Sequence, residues 1–186
     1  MTSSLNPSQY GKGITFTATT SSSPGASISG TVTFKDGTNT LGTAGINTST
    51  RKAAFSTAAL TGGGHTITAV YSGSGDNAGS TSAVLNETVN KVPSTTTFIS
   101  NLNPAPHGRT VTLTATVFPS AGIASGSVTF MDGATPLGTG TVNTTSNKAQ
   151  IKTSSLAVGT HSITARYGGN TNVSASTSAV IKEIIN

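Results

Sequence analysis

Residues 30–43 read GTVTFKDGTNTLGT, and residues 126–139 read GSVTFMDGATPLGT. The match continues on both sides. LNPSQYGKGITFTAT meets LNPAPHGRTVTLTAT, LTGGGHTITAVYSG meets LAVGTHSITARYGG, and STSAVLNE meets STSAVIKE. The offset is about 96 residues, and roughly half the positions from Gly30 onward are identical. A fixed internal period outranks any local reading of a chain. This period is far longer than the 20–50 residues of a solenoid unit and is instead the length of a small domain. Each copy must therefore close its own core. The spacing predicts two domains, 1–90 and 91–186, in a chain of 186 residues.

Each copy reads as short strands. Ile14, Phe16 and Ala18 alternate with Thr15, Thr17 and Thr19; Val32 and Phe34 alternate with Thr. His65, Ile67, Ala69 and Tyr71 share a second such face. Period two with Thr on the other side is the pattern of a half-buried antiparallel strand, and the β-branch of Thr suits a pleated surface. Nothing repeats at helical spacing. Asp36-Gly37 and Asp132-Gly133 follow a strand directly and predict tight hairpins, because Gly accepts positive φ. About seven antiparallel strands per copy predict an all-β chain of two tandem Ig-like β-sandwiches. The last strand carries an oddity: Glu87 falls on the same face as Leu85 and Val89, and Glu183 on that of Ile181 and Ile185. Either a bulge turns the Glu outward or the Glu is paired and partly buried.

The combined pattern G-x-V-T-F-x-D-G…L-G-T…L-x-x-G-x-H-x-I-x-A-x-Y…S-T-S resembles the bacterial immunoglobulin-like repeat domains, group 3 type, over nearly the whole chain and once per copy. The resemblance implies an Ig-like sandwich, an extracellular or cell-surface setting, and a role as spacer, stalk or adhesin module. Such a fold names no single activity. The chain departs from the family where a Gly-Asp pair and an aromatic usually follow the Tyr. Here Gly73 precedes Ser74 and Gly169 precedes Asn170, while Asn77 and Val173 hold the aromatic position. The departure implies a looser loop end in both domains and argues against a cation role there. The opening MTSSLNP also lacks the counterpart of Ser94–Phe98. Two readings follow: a segment trimmed from a longer array, or a sheet edge that accepts a strand from another molecule.

Composition narrows the function classes. Only 8% of residues are charged, against about 25% in ordinary domains. The net charge of +5 is spread over ten scattered Lys and Arg, with Arg51-Lys52 the one adjacent pair. Nucleic-acid binders cluster their cations, so no nucleic-acid partner is expected. No apolar run nears the roughly 20 residues of a membrane span, so no membrane insertion is expected. The N-terminal residues lack the charged and apolar regions of a signal peptide. With no Cys, thiol chemistry and thiolate metal sites are absent.

No catalytic, cofactor-binding or metal-ligating residues are assigned, and no cofactor. His65 and His161 occupy the same place in both copies, so a structural bond to the upstream loop explains them better than a site does; His107 reads as solvated. Many Ser are present, but none stands in a context that supplies an oriented base. The acids Asp36, Asp76, Glu87, Asp132 and Glu183 are too dispersed for paired-carboxylate chemistry or a calcium cage. Asp36 and Asp132 read as turn formers. A Lys–Asn crosslink assisted by a buried acid has Glu87 and Glu183 as its possible acids, but Lys12, Lys52 and Lys148 read as solvated. Phe16, Phe34, Tyr71, Phe130 and Tyr167 point inward, with Tyr10 and Phe118 on the loop side, which leaves little platform for sugars. The triplets starting at Asn47, Asn86, Asn143 and Asn172 read as chance in a Thr-rich chain. A linker over 90–94 with Pro93 at its centre limits bending and predicts domains in line. Expected partners are neighbouring repeats of the same protein or identical chains, with a cell-surface ligand reached through the end loops as a further option.

Overall fold

A computed structural model describes residues 1–22, 27–75 and 77–186. The chain divides into two compact units, Met1–Asn90 and Lys91–Asn186. Unit 1 contains β1 (Thr2–Ser3), β2 (Ser8–Gln9), β3 (Ile14–Thr19), β4 (Thr31–Asp36), β5 (Asn39–Gly45), β6 (Lys52–Thr57), β7 (Gly63–Tyr71), β8 (Ser80–Thr81) and β9 (Leu85–Asn90). One sheet has the order β1-β3-β6 and the other β2-β9-β7-β4-β5, with β8 also on β7. Unit 2 repeats the plan with β10 (Ser94–Ser100), β11 (Val111–Pro119), β12 (Ser127–Asp132), β13 (Thr135–Thr141), β14 (Lys148–Thr153), β15 (Gly159–Tyr167), β16 (Ser176–Thr177) and β17 (Ile181–Ile185). Its sheets are β10-β11-β14 and β13-β12-β15-β16, with β17 on β15.

The alternation read from the sequence decides which faces meet. In unit 1, Ile14, Phe16, Val32, Phe34, Ile67 and Tyr71 close the core between the sheets. Val111, Leu113, Val128, Phe130, Ile163 and Tyr167 are buried in unit 2. The outward Thr remain half-exposed. Each Tyr hydroxyl finds a carbonyl from the strand-leading loop: Tyr71 donates to Ser29 at 2.8 Å and Tyr167 to Ser125 at 2.9 Å. A buried phenol needs such a partner. The Tyr thereby ties the end of its strand to the preceding loop.

Not every pairing is antiparallel. β2 runs parallel to β9, with Ser8 opposite Val89 and Gln9 opposite Asn90. The counterpart in unit 2 is a parallel bridge from Ala105 to Ile185. An asparagine reinforces each junction. Asn6 donates to the Asn86 carbonyl at 2.7 Å and accepts from Thr88 N–H at 3.1 Å. Asn103 does the same with Lys182 and Ile184 at 2.7 and 3.0 Å. A side-chain amide carries an N–H donor group and a carbonyl acceptor in the same plane, so it substitutes here for a stretch of main chain.

The hairpin loops differ in detail from the expected Asp-Gly turn. Asp36 pairs with Asn39, leaving Gly37 and Thr38 as the loop; Asp132 pairs with Thr135 around Gly133 and Ala134. Gly37 and Gly133 both have φ of 55°. Positive φ at the first loop residue only is the pattern of a type II′ turn. The Asp therefore sits one place outside the loop, which leaves its carboxylate available.

Asn47 and Asn143 each close a loop. Asn47 Oδ1 accepts from the N–H of Ser49 and Thr50 at 3.1 and 2.9 Å, and Asn143 Oδ1 from Thr145 and Ser146 at 3.0 Å each. They close the loops entering β6 and β14. Both loops end on a left-handed residue, Arg51 in one unit and Asn147 in the other, each at φ of 57°. Asn tolerates that conformation better than Arg does. Arg51→Asn is expected to stabilise unit 1 by roughly 0.5–1 kcal/mol, read as a higher melting midpoint; an unchanged or lower midpoint would refute the backbone argument.

The loop after Tyr167 is tight, contrary to the looseness expected there. Gly73 and Gly169 have φ of 84° and 78°. Asn170 Oδ1 accepts from the N–H of Asn172 and Val173 at 2.9 and 2.8 Å, and its Nδ2 donates to Ile123 O and Ser125 Oγ at 2.9 and 3.0 Å. Asn170 thus pins the segment between Gly169 and Val173 to the loop at Ile123–Ser125. Val173 is fully buried in the same loop. Asp76 and most of the loop before Ile28 lie outside the described residues.

The connection between units is shorter than the five residues expected. Asn90 ends β9. Val92 is already bonded into unit 2, its N–H donating to Asn172 O at 2.9 Å and its carbonyl accepting from Ser174 N–H at 2.8 Å. Lys91 alone separates them.

Candidate functional site

The residues with most chemical potential meet at one place in each unit. β7 begins after a Gly turn and carries His65; β15 carries His161. The Asp displaced from the hairpin loop reaches the His from the neighbouring strand. His65 Nδ1 donates to Asp36 Oδ2 at 2.7 Å and His161 Nδ1 to Asp132 Oδ2 at 2.6 Å. The other ring nitrogen donates to the upstream loop: His65 Nε2 to Thr61 O at 2.9 Å, His161 Nε2 to Ala157 O at 2.8 Å. The second Asp oxygen accepts a main-chain N–H, from Thr66 or from Ser162, at 3.0 Å in both. The Asp is thus more than a turn former. It couples the hairpin to the neighbouring strand.

Both partners of the ring, a carboxylate and a carbonyl, are acceptors. The pattern is satisfied when both nitrogens carry hydrogen, which is the imidazolium form. The environment agrees. For His65, burial is the largest influence and pulls the pKa down, but the Asp36 and Thr61 bonds and the charges of Asp36 and Glu87 outweigh it and raise it above the ordinary value. For His161 the Ala157 carbonyl and the Asp132 bond lead, against burial, and the charges of Asp132 and Glu183 add to the rise.

Across the next strand boundary lies the Glu. His65 is opposite Glu87 and His161 opposite Glu183 in unbroken antiparallel ladders. No bulge turns the Glu outward, because the register holds from end to end. Glu87 is 1% exposed and Glu183 0%. They are buried outright rather than partly, and none of their four carboxyl oxygens has a hydrogen-bond partner among the described residues. Period-two alternation places them in the core as surely as it places Leu85 or Val89. Burial pushes the Glu183 carboxyl above its ordinary range. The nearby Ser100 hydroxyl, short of hydrogen-bonding geometry, and the His161 charge pull the other way.

These shifts fix the sign of a pH dependence. A group with a higher pKa when folded binds more protons in the folded state, so its stabilisation is complete below the unfolded value and is lost as pH rises through the folded one. The loss begins near 6.5 for both histidines and near 4.5 for Glu183. Melting midpoints are therefore expected to fall from about pH 5 towards pH 9. Midpoints that climb over this window would contradict the assignment.

The other sequence candidates stay apart. His107 is exposed, and its main-chain N–H donates to Asn186 O at 2.7 Å. No group of three His, Asp or Glu able to hold a metal is found among the described residues. Lys12, Lys52 and Lys148 are exposed. Phe16, Phe34, Tyr71, Phe130 and Tyr167 are all in the core. Tyr10 packs partly against it. Phe118, expected in a loop, belongs to β11 and is 52% exposed. A serine nucleophile needs a free imidazole nitrogen, and both nitrogens of His65 and of His161 are committed to the framework.

The comparison with known families falls in step with this duplication: residues 1–90 and 97–186 each match the bacterial Ig-like domain (group 3). The chain belongs to that family. Each group 3 domain here carries its own Asp–His–Glu cluster and its own Tyr tie. No curated protein matches. Among solved structures, the fibronectin(III)-like modules of Clostridium thermocellum CbhA share 20% identity with a TM-score of 0.40, over 96% of this chain and 93% of that one. The D0-D1 domain of intimin shares 17% with a TM-score of 0.37, over 98% and 96%. At these TM-scores the likenesses carry no argument. The His–Asp bond was missed in the sequence because His and Asp are 29 residues apart; the signal was the co-occurrence of D-G and G-x-H in both copies.

Proposed function

We propose that the chain is a non-catalytic structural module of an extracellular bacterial repeat protein, a stalk or adhesin, in which paired Ig-like domains space and present other parts. The observation that carries this reading is the single-residue tether. With β9 ending at Asn90 and Val92 bonded into unit 2, Lys91 is the one residue left outside both frameworks. So short a connection has few rotatable bonds, which suits a spacer better than a hinge. The Asp–His pairs support the same reading, since the hydrogen bonds of their imidazole rings are made within each domain.

Small-angle scattering on the full chain, beside a variant with a flexible Gly-Ser insertion between Asn90 and Lys91, tests it. A spacer predicts a narrow distribution of sizes that broadens on insertion. Equal breadth in both would show that the short tether does not restrict the pair and would remove the basis for the spacer role.

A further inference from the structure

Asp36-Gly37 and Asp132-Gly133 are the two places where an acid precedes a glycine, and no asparagine of the chain does so. An aspartyl-glycyl bond is prone to a slow rearrangement. The Gly nitrogen loses its proton and attacks the Asp Cγ, water leaves, and a five-membered succinimide forms. Water then opens the ring at either carbonyl. In the isoaspartate product the main chain runs through the former side chain and is one methylene longer. Its free carboxylate sits one carbon nearer the chain. Glycine is the follower that hinders this attack least, having no side chain. It is also needed here, since Gly37 and Gly133 hold φ of 55° in their II′ turns.

In both hairpins one residue of the neighbouring strand holds the two reacting groups. Thr66 N–H donates to Asp36 Oδ1 at 3.0 Å, and Thr66 O accepts from Gly37 N–H at 2.9 Å. Ser162 does the same for Asp132 and Gly133, at 3.0 Å in each bond. Asp36 is paired on both sides, with Asn39 and Ile67, and Asp132 with Thr135 and Ile163. Ring closure needs the Gly proton removed and Cγ turned onto the nitrogen, so it has to break bonds at both ends. The other carboxylate oxygen is fixed by the imidazole, His65 Nδ1 at 2.7 Å or His161 Nδ1 at 2.6 Å. With both partners charged, such a bond is roughly twice as strong as a neutral one, and it is the firmest hold on the carboxylate. Exclusion of water plays no part, because the Asp36 side chain is 23% exposed and that of Asp132 26%. Nor is the ring free to act as a base on the Gly proton, because its other nitrogen donates to Thr61 O or Ala157 O.

We propose that each His–Asp bond guards its aspartyl-glycyl bond against isomerisation, so that His65 and His161 set the chemical lifetime of the hairpins beside them. The histidine acts by position. The carboxylate must leave the ring before the succinimide closes, so the reaction follows the small population in which the pair is parted. The change is one-way for the fold. An isoaspartate lengthens β4 or β12 by one methylene and draws the free carboxylate back towards the chain, away from the ring and from the Thr66 or Ser162 N–H. Loss of the guard in one unit leaves the other protected, because each hairpin has its own histidine.

The test follows isoaspartate by peptide mapping and mass spectrometry in the full chain, kept folded at neutral pH for weeks, beside the same chain unfolded in urea. The folded chain should accumulate isoaspartate at Asp36 and Asp132 far more slowly than the unfolded one. His161→Phe keeps a planar ring and removes both donors. It should raise the rate at Asp132 about tenfold, the open population released by losing one charge-assisted hydrogen bond, and leave Asp36 unchanged in the same molecule. His161→Asn, whose amide nitrogen is a donor close to the place of Nδ1, should restore part of the protection. His65→Phe repeats the measurement in unit 1, with Asp132 as the reference, should the unit 2 variant not fold. Gly169→Ala separates guarding from stability: it weakens unit 2 without touching Asp132 and should leave the Asp132 rate of the folded chain where it was. Equal rates in the folded and unfolded chain, an unchanged rate at the unguarded Asp of a folded Phe variant, or an equal rise with Gly169→Ala would each overturn the proposal.

Discussion

Replacing Gly169 by alanine is expected to cost unit 2 about 3 kcal/mol and to lower its melting midpoint by roughly 15 °C. Two penalties add. The residue sits at φ of 78°, where a side chain strains the backbone. A Cβ there would also stand 2.8 Å from Val173 O and 2.9 Å from Ala175 N. Both are main-chain atoms in a loop held by Asn170, so neither can rotate away as a side-chain tip could. Gly73→Ala should do the same to unit 1, where the distances to Asn77 O and Gly79 N are 2.8 and 2.9 Å. Calorimetry with each single variant should shift one transition and leave the other. A loss below about 1 kcal/mol would mean that the loop relaxes freely.

The second large effect has the opposite sign. Glu183→Met is expected to stabilise unit 2 by about 2 kcal/mol. The carboxyl is fully buried with neither oxygen bonded among the described residues, and a buried polar group without a partner is costly. Met has a similar length and fills the same space without that cost. The variant also removes one of the charges that raise the His161 pKa, so the stability of unit 2 should vary less with pH. Destabilisation by Met, or an unaltered pH profile, would show that the carboxyl has a partner worth more than its burial costs.

The alternation of Thr with Ile, Phe and Val was enough to place the strands and their inward faces, because a two-residue period leaves one solution when one face is buried. Duplication was enough to set the domain count. Three features escaped. The Asp36–His65 and Asp132–His161 bonds join residues distant in the chain, and turn propensity explained each Asp completely without them. The parallel β2–β9 contact involves only two residue pairs, too short for any periodic signal. The loops after Tyr71 and Tyr167 looked loose because a family aromatic was missing, and the four hydrogen bonds that Asn170 makes in unit 2 leave no periodic signal. Glu87 and Glu183 teach the converse: the pattern did place them inside, and only the expected cost of burying a carboxylate argued for a bulge.

The parallel junction between β2 and β9 has a mechanical meaning. These strands lie near the two ends of unit 1 and run in the same direction, so tension along the chain pulls one backwards and the other forwards. The hydrogen bonds between them lie across that pull and share the load at once, rather than opening in succession like a zip. Tyr10 N–H to Asn90 O at 2.9 Å and the two Asn6 bonds add to the same seam, and Asn103, Ala105 and His107 build its equivalent in unit 2. A pull applied through the ends of either unit would therefore load this seam in shear.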